Sequence, residues 1–106
     1  MTEADIERLR QSARAFADAR LIVLFGSAAR DDAAPWSDAD VGVSGVEFWR
    51  GLEIGAAIGS ALGRPAHVVD LDRSSDWLCH RVASDGLLLY EREAGTWPRF
   101  VAQAML

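Results

Sequence analysis

Residues 21–43, LIVLFGSAARDDAAPWSDADVGV, decide the fold of this chain. Leu21 to Phe25 is an apolar run without alternation, the pattern of a strand buried on both faces. Gly26-Ser27 then breaks it. Gly26 can adopt backbone angles closed to other residues and admits close approach to the main chain, and Ser27 suits a helix N-cap. Ala28, Ala29 and Arg30 form the first turn of that helix, whose free N–H groups and positive dipole end suit a phosphate. Asp31 to Ser37 is rich in turn formers and reads as a loop. The chain returns as Asp38-Ala39-Asp40-Val41-Gly42-Val43, a second strand. Alternation puts Asp38 and Asp40 on one face and Ala39, Val41 and Val43 on the other, toward a core.

Two adjacent carboxylates repel, and a divalent cation relieves the repulsion. Mg2+ takes oxygen ligands, keeps several waters and is commonly held by one or two carboxylates together with substrate phosphates. A phosphate cradle beside a carboxylate pair is the equipment of phosphoryl or nucleotidyl transfer.

Gly26-Ser27, ten residues, then Asp38-Ala39-Asp40 resembles the signature of the DNA polymerase beta-like nucleotidyltransferase superfamily. The short length and the later segment LGRPAHVVDLDRSSDWLCHRVASDGLLLYE are similar to its smallest branch, the minimal nucleotidyltransferase (MNT) family. The resemblance covers roughly residues 21–91. It implies an α/β fold, a small mixed β-sheet with helices packed against it, and the carboxylate pair at the sheet edge opposite the Gly-Ser turn. It implies Asp38 and Asp40 as catalytic and Mg2+-binding residues, and Gly26, Ser27 and Arg30 as the residues that hold ATP or another NTP. Members of the branch are often antitoxins of HEPN-domain ribonuclease toxins, so a HEPN toxin is the implied protein partner and a tyrosine on it the implied acceptor.

Composition bounds the rest. The chain has 106 residues, half of them apolar, which is enough for one core and one domain spanning 1–106. No second domain is left to recognise a substrate, so the acceptor is either small or brought by a partner. A net charge of −5 with scattered basic residues disfavours direct nucleic-acid binding. With Cys79 alone, no intramolecular disulfide can form. The N-terminus is not signal-like and no long apolar run occurs, so a cytoplasmic, non-membrane setting is expected, with homo-oligomerisation left open.

Thr2 to Ala19 reads as an amphipathic helix, with Thr2 as N-cap, Asp5 three residues on, and Ile6, Leu9, Ala13, Phe16 and Ala17 at helical spacing. Val46 to Leu62 reads as a second long helix with Phe48, Leu52, Ala56 and Gly59 on one stripe, Gly55 and Gly59 allowing close packing, and Gly63 as the stop before Pro65. Ala66 to Leu71 is a third strand. In related proteins this strand carries a third catalytic carboxylate, and the matching position here is His67. An imidazole is a poor substitute at a Mg2+ site. It can instead accept the proton of an attacking hydroxyl, or be a polar remnant of a decayed pocket. Asp70 is a second candidate for the missing carboxylate, although alternation puts it on the face opposite His67; Asp72 falls in a loop. Ser74 or Ser75 caps a helix from Asp76 to Ser84, and Leu87 to Tyr90 is a fourth strand. Cys79 and His80 diverge by about 100° on that helix, so Cys79 reads as a small core residue. The tail holds Trp97, Phe100, Val101, Ala104 and Met105 at helical spacing, with Trp97 assigned to the core and the far end to partner contact. Arg30 either meets the triphosphate or pairs with Asp31 or Asp32, and Trp36 either stacks on a base or packs down.

Two functions follow. One is an enzyme that moves a nucleoside monophosphate from an NTP to a protein hydroxyl. The other is an MNT-fold antitoxin, catalytically impaired because His67 stands in the carboxylate position, that acts by covering its partner. A free-standing small-molecule transferase is disfavoured, since no acceptor domain exists.

Overall fold

The computed structural model describes residues 1–30 and 38–106. The readings placed on 31–37, namely the loop, the Arg30 pairing with Asp31 or Asp32 and the contacts of Trp36, lie outside the described residues. Among the described residues five α-helices and four strands alternate, with a 3-10 turn over Leu71–Arg73 after the third strand: α1 (Glu3–Arg14), β1 (Leu21–Phe25), α2 (Ser27–Arg30), β2 (Ala39–Ser44), α3 (Phe48–Leu62), β3 (Ala66–Asp70), α4 (Asp76–Asp85), β4 (Leu87–Glu91) and α5 (Thr96–Ala104).

The strands form one mixed sheet in the order β3-β2-β1-β4. β1 runs antiparallel to both of its neighbours, and β2 runs parallel to β3 through the α3 crossover. β1 is buried along its whole length, as its unbroken apolar run requires. Both faces of the sheet are covered. Leu9 and Ala13 of α1 and Ile54 and Ile58 of α3 pack with Ile22, Leu24, Ala39, Val41 and Val43 on one face. On the other, Val23 and Phe25 meet Leu71, Val82, Trp97 and Phe100. The alternation read from residues 38–43 therefore holds: Ala39 and Val41 are fully buried and Val43 nearly so.

Helix ends follow their caps. Thr2 and Asp5 form a reciprocal capping box at α1, Ser75 accepts from the Leu78 N–H at α4, and Gly63 closes α3 in the left-handed conformation at φ 74°. α1 stops at Arg14 rather than Ala19, because the carbonyls of Ala17 and Asp18 are taken by the Tyr90 hydroxyl and Arg92 at the end of β4. The stripe expected on α3 is also corrected. Its buried residues are Gly51, Ile54, Gly55, Ile58 and Gly59, whereas Phe48, Leu52 and Ala56 are exposed. The close packing expected of the glycines is real: a Cβ on Gly55 would strike the Val68 side chain, and one on Gly59 would lie 2.7 Å from the Arg64 carbonyl.

Candidate functional site

Antiparallel register sets Phe25, the last residue of β1, opposite Asp40 of β2, and parallel register sets Asp40 beside His67 of β3. Three chain segments meet there. Gly26 follows Phe25 at φ 74°, and a Cβ built on it would lie 2.5 Å from Asp40 Oδ2. Only glycine suits that position, for the backbone angle and for the carboxylate lying against it. On its other side Asp40 Oδ1 is 3.5 Å from His67 Nδ1. Asp40 therefore sits between the Gly-Ser turn and the imidazole, with a third of its side chain open to solvent.

The sequence reading set the pair at the sheet edge opposite this turn. β2 is instead an inner strand, and Asp40 touches the turn itself. Asp38 lies one residue before β2 and is exposed, held in line by the Ala39 N–H, which donates to the Pro65 carbonyl at 2.8 Å. Among the described residues neither the Asp38 carboxylate nor the Ser27 hydroxyl has a protein partner.

The donor set fits Mg2+. Asp38 and Asp40 offer hard oxygen ligands with no arginine across them, and among the described residues no group of three or more metal-ligating side chains occurs. Two carboxylates suffice for an ion that takes its other ligands from water and substrate phosphates.

The remaining candidates separate. Arg30 ends α2, and its Nη1 meets Asp85 Oδ2 at 2.6 Å, joining the helix after the Gly-Ser turn to the end of α4. Asp85 was not singled out in the sequence; 55 residues separate it from Arg30, and no local pattern announces such a pair. Asp70, paired with Val43, turns away from His67 and accepts the Asp72 N–H at 2.9 Å, a turn carboxylate. Asp72 does more than a loop residue: it accepts from the Ser44 hydroxyl and the Gly45 N–H, both at 2.8 Å, and pins the end of β2. Cys79 and His80 bring no metal group together, and burial, with Asp76 nearby adding to it, pushes the Cys79 thiol up. Trp97 stacks on Phe100 at 5.5 Å against the second core, as expected, while Met105 and Leu106 are exposed.

A glycine turn and an acidic strand thus meet at Asp40, whose side chain is a third open to solvent. The family model described as Polymerase beta, Nucleotidyltransferase matches residues 7–94, and the chain belongs to that family. Solved structures share the whole fold. A chain of a toxin–antitoxin complex crystallised with AMP-PNP is 25% identical with a TM-score of 0.72, over 99% of this chain and 85% of that one. A chain from tri-AMPylated Shewanella oneidensis HEPN toxin in complex with MNT antitoxin is 23% identical, with a TM-score of 0.71 over 99% and 84%. One from the MntA-HepT toxin–antitoxin is 22% identical, with a TM-score of 0.70 over 98% and 84%. A comparison with curated proteins finds no match.

Proposed function

We propose that this chain is a minimal nucleotidyltransferase that moves a nucleoside monophosphate from an NTP to a hydroxyl of a HEPN ribonuclease toxin, acting as its antitoxin in the cytoplasm. The observation that carries the reading is Asp40, wedged between the Gly26 turn and His67. The similar toxin–antitoxin chains, one crystallised with AMP-PNP and one beside an AMPylated toxin, favour ATP as donor and the toxin as acceptor.

Bound to Asp38 and Asp40, Mg2+ would neutralise the triphosphate and the charge that develops on it. Ser27 and the N–H groups at the start of α2 would hold the phosphates, while Arg30 at its end is engaged by Asp85. The acceptor oxygen attacks the α-phosphorus in line; its new P–O bond forms as the bond to pyrophosphate breaks, and pyrophosphate leaves. The hydroxyl proton passes to His67 Nε2. Asp40 Oδ1, beside Nδ1, favours the tautomer that leaves Nε2 free to accept it.

The test is labelled ATP, Mg2+ and the candidate toxin. Label should reach the toxin and fall by about 10²-fold or more with Asp38→Asn or Asp40→Asn. The second reading, inhibition by binding alone, rests on the resemblance, which implies a carboxylate at the position of His67, and on one observation: the His67 side chain is 68% exposed. It is adopted if no NTP labels the toxin while Asp40→Asn still inhibits it.

A further inference from the structure

α3 has a second apolar face that the monomer does not cover. Phe48, Leu52 and Ala56 fall on one stripe about a quarter-turn from the buried Gly51–Gly55–Ile58 row. Phe48 and Trp49, in edge-to-face contact at 5.4 Å, are each 71% exposed, and Leu52 is 43% exposed. Arg50, on the opposite flank of the helix, reaches toward α1 to pair with Asp18 and lie over Phe16, so the open stripe looks outward past β3. β3 is an edge strand, and apart from the carbonyl of its last residue, Asp70, no hydrogen bond among the described residues uses its outer row.

Two hollows lie along this side, about 490 Å³ beside Ala56, Gly59 and Arg64 and about 370 Å³ beside Phe48 and Asp70. Leu52 and Val68 line both, so they form one trough. Arg64 lines the first hollow, and its Nη1 is buried without a hydrogen-bond partner, the one such side-chain atom among the described residues. An unpaired buried guanidinium nitrogen is costly and calls for an acid.

We propose that a second copy of this chain fills the trough, with the two β3 strands pairing antiparallel about a two-fold axis at Val68. Three features converge on this occupant. Strands pair about 4.8 Å apart and α3 lies over β2 and β3, so the two α3 helices come to rest roughly 10 Å apart, a packing distance for helices with a small residue such as Ala56 between them. The same register sets Ala66 opposite the copy's Asp70, which brings the Arg64 end of one trough to the end of the other that Glu47 and Asp70 line, with Arg73 beside Asp70. And a two-fold joins the same patch of each copy, so both Arg64 ends are met at once. Pairing also removes the exposed edge, which otherwise invites uncontrolled association.

Sedimentation of the full chain from low to high micromolar concentration tests this. The mass should rise from 11.5 kDa to twice that value. Ala56→Arg, on the outer face of α3, and Arg64→Glu, at the end of the trough next to β3, should both stay monomeric with unchanged circular dichroism. In a Cys79→Ser background, Val68→Cys should cross-link to itself on oxidation, because a residue on the axis meets its own copy, while Gln11→Cys on α1 should not. A monomeric mass at every concentration, a dimer indifferent to both substitutions, or a monomer that uses this stripe only to bind the toxin would each overturn the proposal. Labelled-nucleotide transfer is read separately, so neither result stands in for the other.

Discussion

At the residue scale, Gly26 and Asp40 form a unit. Gly26→Ala places a side chain at φ 74° and drives its Cβ into Asp40 Oδ2. The left-handed backbone alone costs about 1–3 kcal/mol. Displacing the carboxylate should lower transfer by about 10-fold or more, since small misplacements of a reacting group are costly. Thermal melting and a labelled-ATP assay on the same preparation check both effects. Cys79 gives a second prediction. Burial holds its thiol above the ordinary value of 9.0, so the reactive thiolate is scarce at neutral pH. Alkylation should lag behind that of a free model thiol at pH 8 and catch up only as the pH climbs past that value, measured by mass spectrometry over time. Both positions were legible in part: a glycine after a buried strand announces a turn, but that it touches Asp40 depends on strand register. Arg30 shows the limit, since its partner Asp85 lies in a helix that nothing near Arg30 in sequence foretells.

At the scale of elements, caps were readable and faces were not. Thr2 and Asp5 announce the start of α1 three residues apart. The Thr2 N–H and hydroxyl, then Arg8, hold the Asp5 carboxyl below the usual carboxylate range. A carboxyl lowered in the folded state contributes stability that is present above its ordinary value of 3.8 and is lost as pH falls through the lower folded value. Protection of the first-turn amides of α1, taken relative to the intrinsic exchange rate at each pH, should therefore fall in acid below that value, and Asp5→Asn should remove the dependence. The end of α1 was misread because Ala15 to Ala19 has helical composition, yet Tyr90 and Arg92 claim its last carbonyls from β4. α3 was misread because it is apolar on two sides. Periodicity finds a stripe but does not say which of two stripes meets the sheet; the glycine row wins because Val68 and the Arg64 carbonyl need its missing side chains.

At the scale of the molecule, one sheet with helices on both faces brings the glycine turn, the acidic strand and His67 to one end, and Ser44, Asp72 and the start of α3 to the other. No helix among the described residues is long and apolar enough to cross a membrane. The net charge of −5 predicts that the chain alone leaves RNA and DNA unshifted in a gel at physiological salt, since phosphate contacts need clustered cations; a shifted band that vanishes with salt would contradict it. The sequence alone determined the α/β pattern, the spacing from Gly26-Ser27 to Asp38 and Asp40, the inward set Ala39, Val41 and Val43, and the place of His67. These follow from covalent geometry and from the two- and 3.6-residue periods, which act over a few residues. Tertiary structure decided that Asp40 rests on Gly26, that Arg30 holds Asp85, and that α3 turns its glycines inward and leaves Phe48 and Leu52 outside. Those outcomes are settled by competition among distant groups for the same buried space, and a linear pattern does not record which of them prevails.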